Sequence, residues 1–252
     1  MTFKFVILAA GKGTRMGLDI PKALTPVGGK PILQYLYEAV VSSGVNGAPV
    51  VVIGHERNFL CEAFGKECEY AIQEEQLGTA HALNCAREQT ADADAVVVLY
   101  GDHPFVSDET LRKLAAYHEE KKAKITMMTT KVETFDGWYK AFLHWGRVLR
   151  DARGHIIGIR EYKDAMESER QIMEVNPALY CFDTKWLWEN IDQIKNFNAS
   201  EEYYLTDLVE LAVTQAHEVA SLFVPAEETI GINTPEEREI AETLIQKRHA
   251  SS

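Results

Sequence analysis

Between Phe5 and Lys22 the chain reads FVILAAGKGTRMGLDIPK, and the second half of this stretch carries the residue types that hold phosphate. Gly11, Gly13 and Gly17 let a backbone turn sharply and let a ligand approach its N–H groups. Lys12, Arg15 and Lys22 bring positive charge to the same place. A glycine-rich, basic loop after a strand is a phosphate cradle in outline. Two known phosphate loops do not fit it. The dinucleotide fingerprint wants glycine at its first, third and sixth positions, and counting from Gly11 the sixth is Met16. The P-loop wants Gly-Lys followed by Ser or Thr, but Gly11-Lys12 runs into Gly13 and Gly29-Lys30 into Pro31. The other conspicuous residue is Asp102, which follows the apolar run Ala95 to Tyr100 and Gly101. A hard oxygen ligand beside a polyphosphate is what Mg2+ needs; the plainer reading is a turn aspartate near the helix that Ser107 caps. No Ser-His-Asp or Cys-His arrangement is visible, although His103 follows Asp102 directly.

These residues need a frame that brings them together. Phe5 to Leu8, Pro49 to Ile53, Tyr70 to Ile72 and Ala95 to Tyr100 are short apolar runs of the kind buried on both faces of a parallel sheet. Between them lie helical patterns: one from Pro31 that stops at Gly44, one over Asn58 to Phe64, and one from the Gly78-Thr79-Ala80 turn to Gln89. The alternation predicts an α/β fold, a mostly parallel sheet flanked by helices. In such sheets ligands bind beyond the carboxyl ends of the strands, where the glycine loop and Asp102 both fall. From Ile125 the pattern changes. Ile125 to Val132, Trp145 to Arg150, Ile156 to Arg160 and Ala178 to Phe182 read as strands of an added mixed or antiparallel region. Helices over about Trp186 to Ile194 and Leu205 to Ala216, and a strand over Val219 to Val224, follow. The last helix opens with Thr234, Pro235 and Glu237, a capping box.

The 252 residues carry a formal charge of −12, with 46% apolar and 25% charged residues. That acidity argues against generic nucleic-acid binding, since phosphate backbones reward positive surface. Cys61, Cys68, Cys85 and Cys181 form no Cys-x-x-Cys pair, and free thiols suit a reducing compartment. No run is long enough to span a membrane and no signal peptide is evident, so the cytoplasm is expected.

Ordered along the chain, the pieces Leu8 to Met16, Pro21-Lys22, Gln76 to Ala82, Tyr100 to Asp102, Trp145 to Arg147, Glu161, Lys163 to Ala165, Glu174 to Asn176, Glu202 to Asp207 and Gly231 to Asn233 resemble the sugar nucleotidyltransferases. The likeness is greatest to the uridylyltransferase domain of bifunctional UDP-N-acetylglucosamine pyrophosphorylases. The resemblance implies a Rossmann-like sheet of the nucleotide-diphospho-sugar transferase type. It implies Mg2+-dependent transfer of a nucleotidyl group, foremost UMP from UTP, to a sugar 1-phosphate such as N-acetylglucosamine 1-phosphate. Arg15, Lys22 and Asp102 would be catalytic. Leu8, Ala9, Ala10, Gly11, Lys12, Gly13 and Thr14 would wrap the triphosphate; Gln73, Gln76 and Gly78 would hold the base and Thr79 would support them. Gly146, Glu161, Asn176, Tyr204 and Thr206 would hold the sugar phosphate, and Asp102 with Asn233 would bind the metal. The expected layout is one domain over 1–252: a nucleotide half to about 124, a sugar-phosphate half over 125–233 and a C-terminal helix over 234–248.

Taken singly, most of these residues have a bland reading: surface amides at Gln73 and Gln76, a solvated charge run at Glu161, packing at Tyr204, a turn at Asn233. Two departures stand out. The family has Asn-Thr-Gly where this chain has Asn176-Pro177-Ala178. The segment before Trp145 is longer and carries Trp138, Tyr139 and Phe142; a lid over the sugar, a packing plug and a subunit contact are all open for it, with packing favoured. CTP, dTTP, another phosphorylated acceptor, a regulatory binding subunit and a homo-oligomer all stay open at this level.

Overall fold

A computed structural model describes residues 1–11, 13, 16, 20–45, 47–54 and 57–250. Strand β1 (Phe3–Leu8) lies between β4 (Val50–Ile53) and β6 (Ala95–Tyr100), and β5 (Glu69–Ile72) extends the sheet beyond β4, all four parallel. A small antiparallel hairpin, β2 (Pro26–Val27) with β3 (Lys30–Pro31), stands apart from it. The apolar runs are buried because the sheet has a core on each face. Val6, Val52, Val96 and Val98 point into one, against Leu83. Phe5, Ile7, Val51, Val97 and Leu99 point into the other, against Leu33, Leu36 and Leu111. Side chains that alternate about a pleated strand leave no polar face, hence the unbroken Val/Ile runs.

Helix α1 (Ile32–Ser43) begins just after Pro31 and ends at Gly44, whose φ of +66° closes the helix in the left-handed region. Helix α2 is Arg57–Phe64. The helix expected from Thr79 to Gln89 is in fact two, α3 (Thr79–Asn84) and α4 (Arg87–Thr90), with a turn at Cys85 and Ala86. Helix α5 (Asp108–Lys121) is capped by Ser107, whose Oγ accepts from the Thr110 N–H at 3.1 Å. No helix among the described residues is long and apolar enough to cross a membrane.

The second part of the sheet decides where a cleft can form. Strand β7 (Ile125–Lys131) carries β12 (Ala220–Phe223) on one edge, parallel. Along its other edge run two strands in line, β10 (Glu174–Val175) and β11 (Tyr180–Asp183), both antiparallel to it. Residues 176–179 interrupt them. Beyond the interruption the sheet forks: β11 pairs with β6, whereas β10 pairs with β8 (Arg147–Arg150), which pairs in turn with β9 (Ile156–Arg160). Because Tyr180 is opposite Val98, the interruption is level with the end of β6, so β6 and β8 part there. The two-residue β10 escaped sequence reading, and the strand expected from Trp145 starts at Arg147. Helices α6 (Glu167–Arg170), α7 (Thr184–Asn190), α8 (Asp207–Thr214), α9 (Ala226–Thr229) and α10 (Pro235–Ala250) complete the chain. The expected helix to Ile194 ends as α-helix at Asn190 and passes into a turn of 3-10 helix.

The fork also explains one departure from the family pattern. Asn176 Oδ1 accepts from the Ala178 N–H at 3.0 Å, a local turn that drives Ala178 to φ +57°. A Cβ in that region costs about 1–2 kcal/mol, part of which glycine would return as unfolded-state entropy. Ala178→Gly should therefore stabilise the protein by up to about 1 kcal/mol in denaturant unfolding; a destabilised variant would show that the turn is not under strain.

Candidate active site

Beyond the carboxyl ends of β1, β4 and β6 lies a cleft of about 220 Å3, walled by Leu8, Ala9, Ala10, Gly11, Lys22, Gln73, Gln76, Gly78, Thr79 and Asp102. Tyr100, Gly101, Ala82, Ala23 and Glu202, which sequence reading gave no role, also line it. The backbone entering the loop is tied to both neighbouring strands, with Ala9 N–H on Val52 O at 2.9 Å and Gly101 N–H on Leu8 O at 2.9 Å. Gly13 has φ +61° and presses on Lys22, whose Cβ lies 2.6 Å from where a Gly13 Cβ would be. Lys12, Thr14 and Arg15 lie outside the described residues.

The two glutamines are part of the frame. Gln76 Nε2 donates to Ala10 O at 3.0 Å and so anchors the phosphate loop. Gly54 permits this, since a Cβ there would sit 2.8 Å from Ala10 O and 3.0 Å from Gln76 Nε2. Gln73 is 3% exposed. Its Nε2 lies 3.2 Å from Gly78 O and 3.0 Å from His81 Nδ1. A carbonyl can only accept, so the amide nitrogen is fixed inward and the oxygen is the end left to accept from a ligand. Gly78 has φ +116°, and its would-be Cβ falls 2.6 Å from Tyr203 O. Residues 77–80 are zipped to 203–205 through Tyr203 N–H on Leu77 O, Ala80 N–H on Tyr203 O and Leu205 N–H on Thr79 Oγ1, at 2.8–2.9 Å. Thr79 thus supports the loop from below.

At the floor of the cleft Lys22 Nζ donates to Asp102 Oδ2 at 2.5 Å and to Asn233 Oδ1 at 2.6 Å. Burial works against the Asp102 carboxylate, yet Lys22 and His103 outweigh it and hold its pKa at about 2. The same burial lowers the His103 pKa, although Asp102 pulls it the other way. Asn233 is placed by the start of α10. Glu237 accepts from the N–H groups of Asn233 and Thr234, and Thr234 Oγ1 accepts from Glu237 N–H, the reciprocal cap expected from the sequence. Ile232 N–H donates to Asp102 O at 2.9 Å, which sets the two side chains side by side. Asp102 Oδ1 is buried without a hydrogen-bond partner. A carboxylate oxygen that makes no hydrogen bond, 3.6 Å from His103 Nε2 and beside an amide oxygen, fits a Mg2+ that takes its remaining ligands from phosphate and water. No cluster of three or more His, Cys, Asp or Glu suited to a metal occurs among the described residues.

The residues expected to hold a sugar phosphate gather at the fork. Asn176 N–H donates to Gly146 O at 2.9 Å, and Thr206 Oγ1 donates to Glu161 Oε1 at 3.1 Å. A Cβ on Gly146 would fall 2.9 Å from Ile159 and 3.3 Å from Glu161 Oε1, so glycine keeps the two strands close. Glu161 is half-buried. Burial raises its pKa, the Thr206 hydroxyl opposes this, and Asp207, Asp164 and Glu202 add to the rise. Tyr204 and Thr206 follow directly on Glu202, a wall of the cleft, so the two sets of residues share one loop. Gly54 and the Tyr203 backbone left no signal in the sequence, because each acts by letting two backbone segments touch.

The MobA-like NTP transferase domain family matches residues 5–195. The bifunctional protein GlmU of Clostridioides difficile (strain 630) is 39% identical over 249 residues, 98% of this chain and 52% of that protein. The chain thus spans about half the length of the curated relatives it matches. In fold it is similar to a UDP-glucose pyrophosphorylase complexed with UDP-glucose, with a TM-score of 0.77 at 17% identity over 98% of this chain and 100% of the other. A CMP:2-keto-3-deoxy-manno-octonic acid synthetase complexed with CTP is similar too, with a TM-score of 0.72 at 17% identity over 98% and 100% of the two chains. The half-buried Lys–Asp–Asn junction thus lies in a sugar nucleotidyltransferase, and the chain belongs to the MobA-like NTP transferase domain family.

Proposed function

We propose that this domain transfers UMP from UTP to a sugar 1-phosphate such as N-acetylglucosamine 1-phosphate and releases pyrophosphate. The observation that carries the reading is Lys22, held by Asp102 and Asn233 on the floor of the cleft below the phosphate loop. The ordered motifs that resemble UDP-N-acetylglucosamine pyrophosphorylases support the uridylyl and amino-sugar substrates, and the 39% identity to the bifunctional protein GlmU supports the nucleotidyl transfer.

In this reading Leu8 to Thr14 wrap the triphosphate and Arg15 meets its outer phosphates. Mg2+, held by Asp102 and Asn233, would neutralise phosphate charge. Lys22 leaves its two oxygen acceptors to bridge the α-phosphate and the incoming phosphate. Gly146, Glu161, Asn176, Tyr204 and Thr206 fix the acceptor so that its phosphate oxygen faces the α-phosphorus. The new O–P bond forms as the bond to the β-phosphate breaks, and pyrophosphate leaves with the electron pair. No general base is required, since the second pKa of a phosphate ester is about 6 and the acceptor is already largely dianionic at neutral pH. Catalysis is positioning and charge neutralisation.

The fixed amide of Gln73 gives the base preference a physical cause. Its free oxygen accepts from the N3–H of uracil, whereas the N3 of cytosine carries no proton and would face that oxygen lone pair to lone pair. A site with buried polar groups rejects such a mismatch strongly. A pyrophosphate-release screen of nucleotides against sugar 1-phosphates should show UTP first, dTTP its nearest rival, and CTP, ATP and GTP poor. Gln73→Ala should erode that preference more than it erodes the rate with UTP. Equal or better turnover of wild-type protein with CTP or a purine nucleotide would sink the uridylyl assignment.

Two substitutions test the centre. Lys22→Ala should lower kcat by roughly 100- to 1,000-fold with a much smaller change in KM for the nucleotide, because its charge matters most as the α-phosphate is attacked. A change confined to KM would remove the bridging role. Asp102→Asn should cut turnover by orders of magnitude with circular dichroism unchanged; wild-type rates at limiting Mg2+ would take Asp102 out of the mechanism.

A further inference from the structure

The aromatic segment before Gly146 has a place in the structure that packing alone does not account for. Phe142 is fully buried and meets the Trp145 ring edge to face at 4.7 Å. Trp145 stacks on His103, centroid to centroid 5.3 Å with the planes within 8°. On its far side His103 faces Tyr100 at 6.1 Å. The imidazole Nε2 lies 3.6 Å from Asp102 Oδ1. Gly231 presses on the same nitrogen: a Cβ there would sit 2.8 Å from it. His103 is thus a plate wedged between the aspartate at 102 and the turn that leads to Asn233. The turn below Trp145 is itself fixed. Arg147 is fully buried, and its guanidinium donates to the carbonyls of Trp145, Leu143 and Arg170. Phe142 belongs to the same apolar cluster as Ile230 and Ile232, which flank Gly231. Trp145 is not among the residues that wall the cleft, and its ring contact toward Asp102 is with His103.

We propose that Trp145 is a positioning residue for the metal centre: it holds the His103 ring in the plane that sets Asp102 and Asn233 at the spacing needed for Mg2+. This rests on the assignment of Asp102 and Asn233 as metal ligands given above. Residues behind a ligand fix its orientation, and their loss typically costs about 10- to 100-fold in metal affinity or activity.

The test uses the whole chain with UTP and Mn2+ as the metal probe, bound Mn2+ being read by electron paramagnetic resonance. Trp145→Leu should weaken Mn2+ binding to the UTP complex by about tenfold and lower kcat by at least as much, with KM for UTP within about threefold. Trp145→Phe, which keeps a flat ring, should recover most of both. His103→Leu should reproduce the Mn2+ defect, and the double variant should be no worse than the larger single one, since both remove one contact chain. Should Trp145→Leu not fold, His103→Leu and Trp145→Phe carry the same comparison. The proposal is overturned if Trp145→Leu lowers the melting temperature yet leaves Mn2+ affinity and kcat within about twofold of wild type. It is equally overturned if the losses in the double variant multiply. Asp102→Asn separates the two levels. If it abolishes Mn2+ binding that Trp145→Leu does not touch, the buttress alone falls. If it leaves Mn2+ binding intact, the metal assignment falls and the buttress with it.

Discussion

A lysine ammonium between a carboxylate and an amide oxygen is the interaction on which this molecule is arranged. Lys22, Asp102 and Asn233 come from the loop after β1, the end of β6 and the start of α10. Charges drawn out of water are costly unless their partners are close and their remaining bonding capacity is met. The surroundings meet that demand. Gly13 lets the loop lie directly on the Lys22 stem, Ile232 ties its backbone to that of Asp102, and Glu237 holds the turn of Asn233 through the cap of α10. Asp102 Oδ1 is left without a hydrogen bond, 3.6 Å from His103 Nε2.

The second constraint is geometric. A continuous sheet would close over the end of β6. It stays open because β10 and β11 are one strand line broken at 176–179, so that β6 and β8 pair with different pieces of it. The break is paid for by an Asx turn and by Ala178 in left-handed backbone, a conformation that glycine adopts freely. Gly146, Glu161, Asn176 and Thr206 thereby gather at the fork. The backbone pairing of 77–80 with 203–205 holds the two sides at fixed separation.

The aromatic segment shows how a packing feature and a chemical one can be the same residues. Trp138, Tyr139, Phe142 and Trp145 form the stacked and edge-to-face contacts usual in apolar cores. The last of them lies flat on His103, the residue beside Asp102.

Much of this was legible in the residues alone. The apolar runs at 5–8, 50–53 and 95–100 declared buried parallel strands, because a strand covered on both faces has no polar side to alternate with. Ser107 and Thr234-Pro235-Glu237 declared helix starts, and the glycine loop and Asp102, each following a buried strand, were expected beyond the carboxyl ends of those strands, where the cleft lies. Those signals are local: each follows from the chemistry of a few neighbouring residues. What only the tertiary structure decided was every feature made by segments distant in sequence. The broken β10–β11 line and the need for glycine at 54 and 78 arise where one segment meets another. The sequence of either segment is silent on such contacts, since a glycine kept small for a remote neighbour looks the same as a glycine in any loop.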